Sequence, residues 1–435
     1  MRRSDAFLPT SRETRGSGSA TTKLLARAGL IRGFGSGLWA FTPAGHRVRE
    51  HVTACVRGTM TGIGAQEVSL PGLQYAERWR ESGRWASFEG EMFTFENRDG
   101  QAMCLAPSHE EGVVHLLDGL VRSYDDLPLL VYQVDAKFRD DRARDGLIRA
   151  KEFRMKDAYS VHTTQESLDE TYQRVRDAYE RILTDLGLDY AVCAAENSVM
   201  GGARSEEFVA PVAEGGDRLK CCPDCRFGVT DEHDDFRASE TCPDCGRSLR
   251  ETDGVEVGHV FDLGTRYSDA MEFTVDDADG EERAALMASY GLGIDRIVQT
   301  LARQHADEDG LRWPVTDWGC VAPYHAAIVP IGYDGDVKAA ADAIHDACGG
   351  VLLYDDPGQS VGERFAESDL LGIPAKIVVG NHYRDTGRVE LETRDGDQRD
   401  LAPADVPDAI EEFGAGTLEG AAEESSAERA VRRTR

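Results

Sequence analysis

A chain of 435 residues with 41% hydrophobic content is long enough for two or three domains with complete cores, which excludes a disordered or minimal scaffold. Acidic residues outnumber basic ones 79 to 49, and the formal net charge of −30 excludes a protein that gathers nucleic acid through its overall field. A polyanion must instead be met by local basic patches, or at salt where only close contacts count, the Debye length being about 3 Å at 1 M; the acid excess points to a halophilic source.

The N-terminus, Met1-Arg2-Arg3-Ser4-Asp5, is not followed by an apolar stretch. No apolar run approaches the roughly 20 residues of a membrane helix, so a cytoplasmic protein without a membrane partner is expected. Val48, Val52, Val56 and Met60 share one face of a predicted helix over His46–Gly62, and a strand over Ala65–Leu70 follows, closed by Pro71. A helix-rich piece contains Ser82-Gly-Arg-Trp85, and strands are expected over Met92–Phe95 and Ala102–Ala106. Pro107-Ser-His-Glu-Glu111 then opens a helix, where a hydroxyl and carboxylates also suit ordinary capping.

Lys137–Tyr159 reads as a strand, a basic loop and a returning strand with Phe153 and Met155, and it holds five arginines. Such a stretch is either a solvated charged hairpin or a polyanion site, since the planar guanidinium fork matches phosphate as lysine cannot. Thr163-Thr-Gln-Glu166 is a capping box for a long amphipathic helix that stops near Gly187. Cys222-Pro-Asp-Cys225 and Cys242-Pro-Asp-Cys245 are two knuckles with 16 residues between them. Paired thiolates at this spacing converge on one tetrahedral Zn²⁺, and in a cytoplasmic chain they favour metal over disulfides. Glu256–Ser268 reads as a strand carrying His259 among apolar neighbours, and Gly291-Leu-Gly-Ile-Asp-Arg296 opens a helix over Ile294–Gln304 without the lysine of a P-loop. From Ala326 strands and helices alternate over about 90 residues, an ordinary domain size. The end, Gly414–Arg435, is rich in Gly, Ala, Glu and Ser and is expected to be disordered.

In order along the chain, MRRSDAFLPTSRE, LLARAGLIRGFGSGLWAFTPAGHRV, SGRW, CLAPSHEE, the Lys137–Tyr159 stretch, EVGHVFDLGTRYS, MASYGLGIDR, GVLLYDDP and SDLLGIPAKIVVG resemble bacterial-type prolyl-tRNA synthetases of class II. The resemblance implies an α+β catalytic core, an antiparallel sheet flanked by helices, over residues 1–323, with a small zinc-knuckle insert at about 221–245. It further implies a C-terminal α/β anticodon-binding domain over 324–413, and a homodimer joined through the first helix–strand–proline motif. The reaction would use ATP with Mg²⁺, proline and tRNA(Pro). Carried over residue by residue, Arg139 and Arg296 are catalytic. Ser108, Glu110, Arg139 and His259 would bind the amino acid, with Ser108 where the family has Thr and Ala106 where it has Gly. Arg139, Asp141, Arg149, Phe153, Glu256 and Arg296 would meet ATP, Asp141 standing for the family's Glu. Cys222, Cys225, Cys242 and Cys245 would hold structural Zn²⁺. Many relatives insert an editing domain between the cysteine regions; here only Arg226 to Thr241 intervenes, so none is expected. Two alternatives stand beside this reading. Ala106, Ser108 and Ser289 favour a paralogue activating another small amino acid. Asp355-Asp-Pro-Gly-Gln-Ser360, which departs from the family after Asp-Asp, favours a non-catalytic tRNA-binding or regulatory protein.

Overall fold

The computed structural model describes residues 1–13, 18–88, 90–195, 204–213 and 215–414. Its larger part is built on a nine-stranded sheet. In spatial order the strands are Arg204–Pro211, Ala191–Ala194, Phe227–Thr230, Asp217–Cys221, Arg250–Gly264, Leu286–Gly293, Glu152–His162, Leu129–Phe138 and Gln66–Glu67. The central strands are antiparallel and long, with Leu129 to Phe138 paired in unbroken register to Val161 down to Glu152. Period-two alternation splits the apolar residues between two cores, because successive strand side chains point to opposite faces. Leu130, Tyr132, Ala158, Ala288 and Tyr290 join the helices on one face. Val131, Tyr159, Val161 and Met287 join Val113, Leu117 and Tyr267 on the other.

The helices on the first face form where the heptad-like spacing predicts. Pro43–Gly62 begins at Thr42, whose hydroxyl accepts from Gly45 N, with Pro43 in the first turn, where its missing N–H costs nothing. Gly45 is required by close approach, since a Cβ there would lie 2.0 Å from the Leu30 carbonyl oxygen. Gln165–Asp185 buries Leu168, Tyr172, Val175, Tyr179 and Ile182, and both it and Ile294–His305 pack on Pro43–Gly62. Among the described residues no helix is long and apolar enough to cross a membrane.

The C-terminal part is a five-stranded sheet ordered Val351–Leu353, Ala326–Pro330, Ala375–Val379, Val389–Thr393 and Gln398–Leu401, parallel in its first three strands. Helices Gly335–Ala347 and Val361–Leu371 cover it. The N-terminal segment lies along its edge: Leu353 N donates to Met1 O at 2.9 Å, and Arg3 pairs with Glu367 at 2.7 Å. Ala327, Val329, Leu352 and Ile373 share the large core of the first part.

Three local expectations change. The predicted strand Ala65–Leu70 is regular only at Gln66–Glu67, because Leu70 N is taken by the Gln133 side chain rather than by a backbone ladder. The cysteine insert is continuous with the main sheet, since Asp217–Cys221 pairs with Arg250–Gly264. Gln398–Leu401 is an edge strand with no apolar alternation to announce it. The predicted tail lies, from residue 415 on, outside the described residues.

Candidate active site

Every second residue of Glu152–His162, namely Phe153, Met155, Asp157 and Tyr159, faces a cavity of about 330 Å³ on the face away from the long helices. At one end the chain leaving Ala102–Leu105 presents Ser108 and enters the helix Glu110–Leu117. Arg84, 1% exposed, reaches across from Ser82-Gly-Arg-Trp85. Its guanidinium donates to Ser108 Oγ at 2.9 Å, to Glu110 Oε2 at 2.9 Å and to Glu111 Oε2 at 3.1 Å. Phe88 and Trp79 pack on it with centroids at 4.6 and 5.0 Å. Burial alone would push the Glu110 carboxyl up, but Arg84 and then Ser108 outweigh it and hold Glu110 below the usual carboxylate range. Glu111 is raised instead, by its burial and by Glu110, with Arg84 opposing. Glu110 thus keeps its negative charge at the end of the cavity, where it can meet an incoming positive group.

At the centre is Arg139, which continues from the strand Leu129–Phe138. Its guanidinium sits 5.4 Å from the Phe153 ring centre and donates to the Pro107 carbonyl at 3.4 Å, and among the described residues it makes no salt bridge. Burial and then the nearby Arg296 charge press its pKa down, a condition that a bound anion relieves. Arg296, in the first turn of Ile294–His305, donates to Glu256 Oε2 at 2.9 Å and to the Ile148 carbonyl at 3.1 Å. His259 Nδ1 lies 3.2 Å from Glu256 Oε1, and its ring stacks on Phe261 at 3.7 Å. Against the pull of burial, His259 and Arg296 keep Glu256 well below the carboxylate range. Glu207, by contrast, is pushed up to about 9 by burial and then by Glu256. At the cavity mouth Asp141 and Arg149 pair at 2.8 Å.

A charged layer supports the floor. Asp157 Oδ1 lies 2.7 Å from Lys137 Nζ, and its Oδ2 accepts from Gln133 at 2.9 Å and from Tyr159 Oη at 2.8 Å. His109 N donates to that same Tyr159 oxygen at 3.0 Å, so the network fixes the backbone just before Glu110. Apart from the cavity, Cys222, Cys225, Cys242 and Cys245 bring their four sulfurs within 4.8 Å of one another, with Cys222 and Cys245 at 3.6 Å. That separation suits a tetrahedral ion with Zn–S bonds of about 2.3 Å. The N–H of Asp224 pulls the Cys222 thiol down to about 7, toward the thiolate a metal needs.

The structure gathers Ser108, Glu110, Arg139, Asp141, Arg149, Phe153, Glu256, His259 and Arg296 around one cavity. Sequence reasoning missed Arg84, Glu111, Asp157 and Glu207. A signal existed for Asp157, an acid placed mid-strand among apolar and aromatic residues, where it must be paired. For Arg84 only its place in Ser82-Gly-Arg-Trp85 pointed to a role.

Residues 93–305 match the family model of the tRNA synthetase class II core domain (G, H, P, S and T), and residues 325–413 that of the anticodon binding domain. A proline–tRNA ligase of Gluconobacter oxydans is 36% identical over 449 residues, covering 95% of this chain and 100% of that one. A probable mitochondrial proline–tRNA ligase of Rattus norvegicus is 37% identical over 399 residues, covering 86% and 83%. A proline–tRNA ligase of Coprothermobacter proteolyticus is 30% identical over 560 residues, covering 94% and 99%. Since 94% of 435 residues can fill only about 409 of those 560 positions, that relative carries roughly 150 more residues within the aligned span. Among solved structures, a prolyl-tRNA synthetase of Cryptosporidium parvum complexed with halofuginone and AMPPNP superposes with a TM-score of 0.73 at 16% identity, covering 94% of this chain and 79% of that one, a likeness of fold.

Proposed function

The chain belongs to the proline–tRNA ligase family, with the class II core and the anticodon-binding domain, and on that premise we propose that it activates proline with ATP and transfers the prolyl group to tRNA(Pro). The observation that carries this reading is that one cavity holds both a buried Glu110, kept below the usual carboxylate range, and a central Arg139 that makes no salt bridge among the described residues. Glu110 takes the ammonium of the amino acid, and Arg139 holds its carboxylate beside the α-phosphate. An oxygen of that carboxylate attacks the α-phosphorus; the bond to the bridging oxygen breaks and pyrophosphate leaves. The 3′-terminal hydroxyl of the tRNA then attacks the prolyl carbonyl, and AMP leaves. No protein nucleophile is needed, so the rate comes from position and charge.

In this reading Ser108 and His259 shape the amino-acid end. Phe153 stacks on adenine; Arg149, with Asp141 beside it, and Arg296 grip the nucleotide. ATP would enter with Mg²⁺, whose positive charge would offset that of the phosphates. Glu207 and Glu256, whose carboxylates lie within 4.8 Å of each other and of His259, would hold that ion. Glu207 fits the role, because a nearby cation would restore the ionised form that burial and Glu256 disfavour. The four cysteines hold a structural Zn²⁺. We assign residues 1–323 to the catalytic domain and 324–413 to anticodon binding, in a cytoplasmic homodimer without editing in cis, given that 16 residues separate the cysteine pairs.

Pyrophosphate exchange with each of the twenty amino acids tests the reading. Proline is expected to support exchange, and folded protein inert with proline at every salt concentration overturns it. Preformed Ala-tRNA incubated with the enzyme is expected to decay no faster than in buffer. Exchange with another small amino acid alone would favour the paralogue, for which Ser108 in place of Thr is the specific feature.

A further inference from the structure

The strand Leu286–Gly293 pairs with Glu152–His162 until Gly293 lies opposite Met155, and there the chain turns into the helix Ile294–His305. The next N–H along Glu152–His162, that of Arg154, has no strand residue to meet on this side, and a backbone N–H shielded from water must find an acceptor. The Asp295 side chain fills the gap: its Oδ2 accepts from Arg154 N at 2.9 Å. An acid in the first turn of a helix suits the helix dipole, which is the ordinary account of such a residue. Here that account falls short. Asp295 is 4% exposed, and the hydrogen bond it makes goes to a neighbouring strand rather than to its own helix. Burial pushes its carboxyl up to about 6, against the Arg154 N–H and then the Arg49 charge.

This bond joins two walls of the cavity. The N–H belongs to the peptide unit that follows Phe153, and Asp295 immediately precedes Arg296. Phe153 and Arg296 both line the cavity. The two ends of the bond are anchored from behind by consecutive residues of Pro43–Gly62. Arg49, lying on the Phe41 ring at 4.3 Å, brings Nη1 to 3.8 Å from Asp295 Oδ1, and Glu50 pairs with the Arg154 guanidinium at 2.5 Å. Ile148 and Glu256 hold the Arg296 guanidinium, whereas Asp295 ties the Arg296 backbone to the strand of Phe153. We propose that Asp295 is a positioning residue that sets the spacing between Phe153 and Arg296, and so the width of the slot that takes the nucleotide base. The inference rests on the ATP-dependent ligase reading and adds to it a residue that touches no substrate. The place of the acceptor oxygen matters here, not its charge. An amide oxygen at the same atom serves as well, while a carboxylate one methylene further out pushes helix and strand apart, and a misplacement of about 1 Å can cost on the order of 100-fold in rate.

Pyrophosphate exchange by the full chain, with ATP and proline varied separately, tests this. Asp295→Ala is expected to lower kcat/KM for ATP about 10- to 100-fold while the KM for proline stays within about twofold of the parent. Asp295→Asn should keep most of the parent kcat/KM for ATP, although it loses the charge facing Arg49 and melts lower. Asp295→Glu keeps that charge and should lose kcat/KM for ATP as Asp295→Ala does. A merely structural role predicts instead that activity follows melting temperature across the variants. Parent-like ATP kinetics in Asp295→Glu, a loss in Asp295→Asn as large as in Asp295→Glu, or a matching rise in the KM for proline overturns the proposal. Should Asp295→Ala not fold, the Asn and Glu variants decide. If the unaltered protein shows no exchange, the ligase reading fails on its own. The melting shift that ATP with Mg²⁺ gives the parent, Asp295→Asn and Asp295→Glu proteins then decides whether Asp295 sets a nucleotide slot: a shift kept in Asn and lost in Glu supports it, and equal shifts overturn it.

Discussion

Arg139, lining the cavity, and Glu207, beside the cavity-lining Glu256 and His259, are groups in opposite discomfort. The Arg139 cation is buried near the Arg296 cation, a cost that Glu256 and Glu110 only partly offset, and its removal should cost the donor that the transition state uses most. Arg139→Ala is therefore expected to slow proline activation by at least about 100-fold in pyrophosphate exchange, the usual loss for one preorganised donor. A near-normal rate would place the reacting phosphate elsewhere. Glu207 has a folded pKa of about 9, above its unfolded value near 4.5, so the unfolded chain releases this proton first. Stability of the metal-free protein should therefore fall as pH rises from about 4.5 to 9. Glu207→Gln removes that term. The variant's melting temperature relative to the parent should be higher at pH 8.5 than at pH 5.5, and an equal difference at both would show that Glu207 is ionised throughout.

At the scale of elements, the cysteine pairs sit where short strands must be held against the edge of the large sheet. Asp217–Cys221 and Phe227–Thr230 are five and four residues long and bury only a small apolar cluster with Ala191, Cys193 and Val209. A metal joining Cys222 to Cys245 would close this segment with far more free energy than such a cluster supplies. Protein purified without chelator is expected to hold about one zinc per chain by metal analysis. Cys242→Ser should release the metal and expose this segment to protease. Four freely titrating thiols in metal-free protein would show that the segment stands on its own packing. The loop between Leu129–Phe138 and Glu152–His162 is held by different means: Gln299 accepts from Leu147 N at 2.8 Å, and Arg303 pairs with Asp145 at 2.7 Å. Gln299 and Arg303, from the middle and last turn of Ile294–His305, thus fix the loop at the cavity mouth.

Over the whole molecule the charge is the dominant quantity. A surface with 79 acids and 49 bases repels itself, and salt relieves that repulsion. The melting temperature should climb steeply with KCl up to molar concentration; a flat profile would remove the argument for a halophilic source. The buried clusters around Arg84, Asp157 and Glu256 should respond little to the same salt, because screening acts mainly on exposed charge. Cavity geometry, followed by ligand-induced melting shifts, is thus expected to persist at salt concentrations that change overall stability.

Much of this protein was legible in its chain because the relevant physics is local. Period-two and helical spacing placed the central strands and the long helices, cysteine spacing anticipated the four-sulfur cluster, and the order of motifs pointed to Arg139, Glu110, Glu256 and Arg296, which line one cavity. The failures are non-local. Gln66–Glu67 is cut short by a side chain 63 residues away from Leu70, and Gln398–Leu401 is a strand only because Val389–Thr393 offers it a backbone edge. Arg84 comes to line the cavity because the fold carries it to Glu110, 26 positions on, and cages it in rings drawn from three segments. Residue type and spacing determine which chemistry is on offer. Which charges are buried together, and so which stay ionised, is decided only when distant segments exclude water from the same small volume.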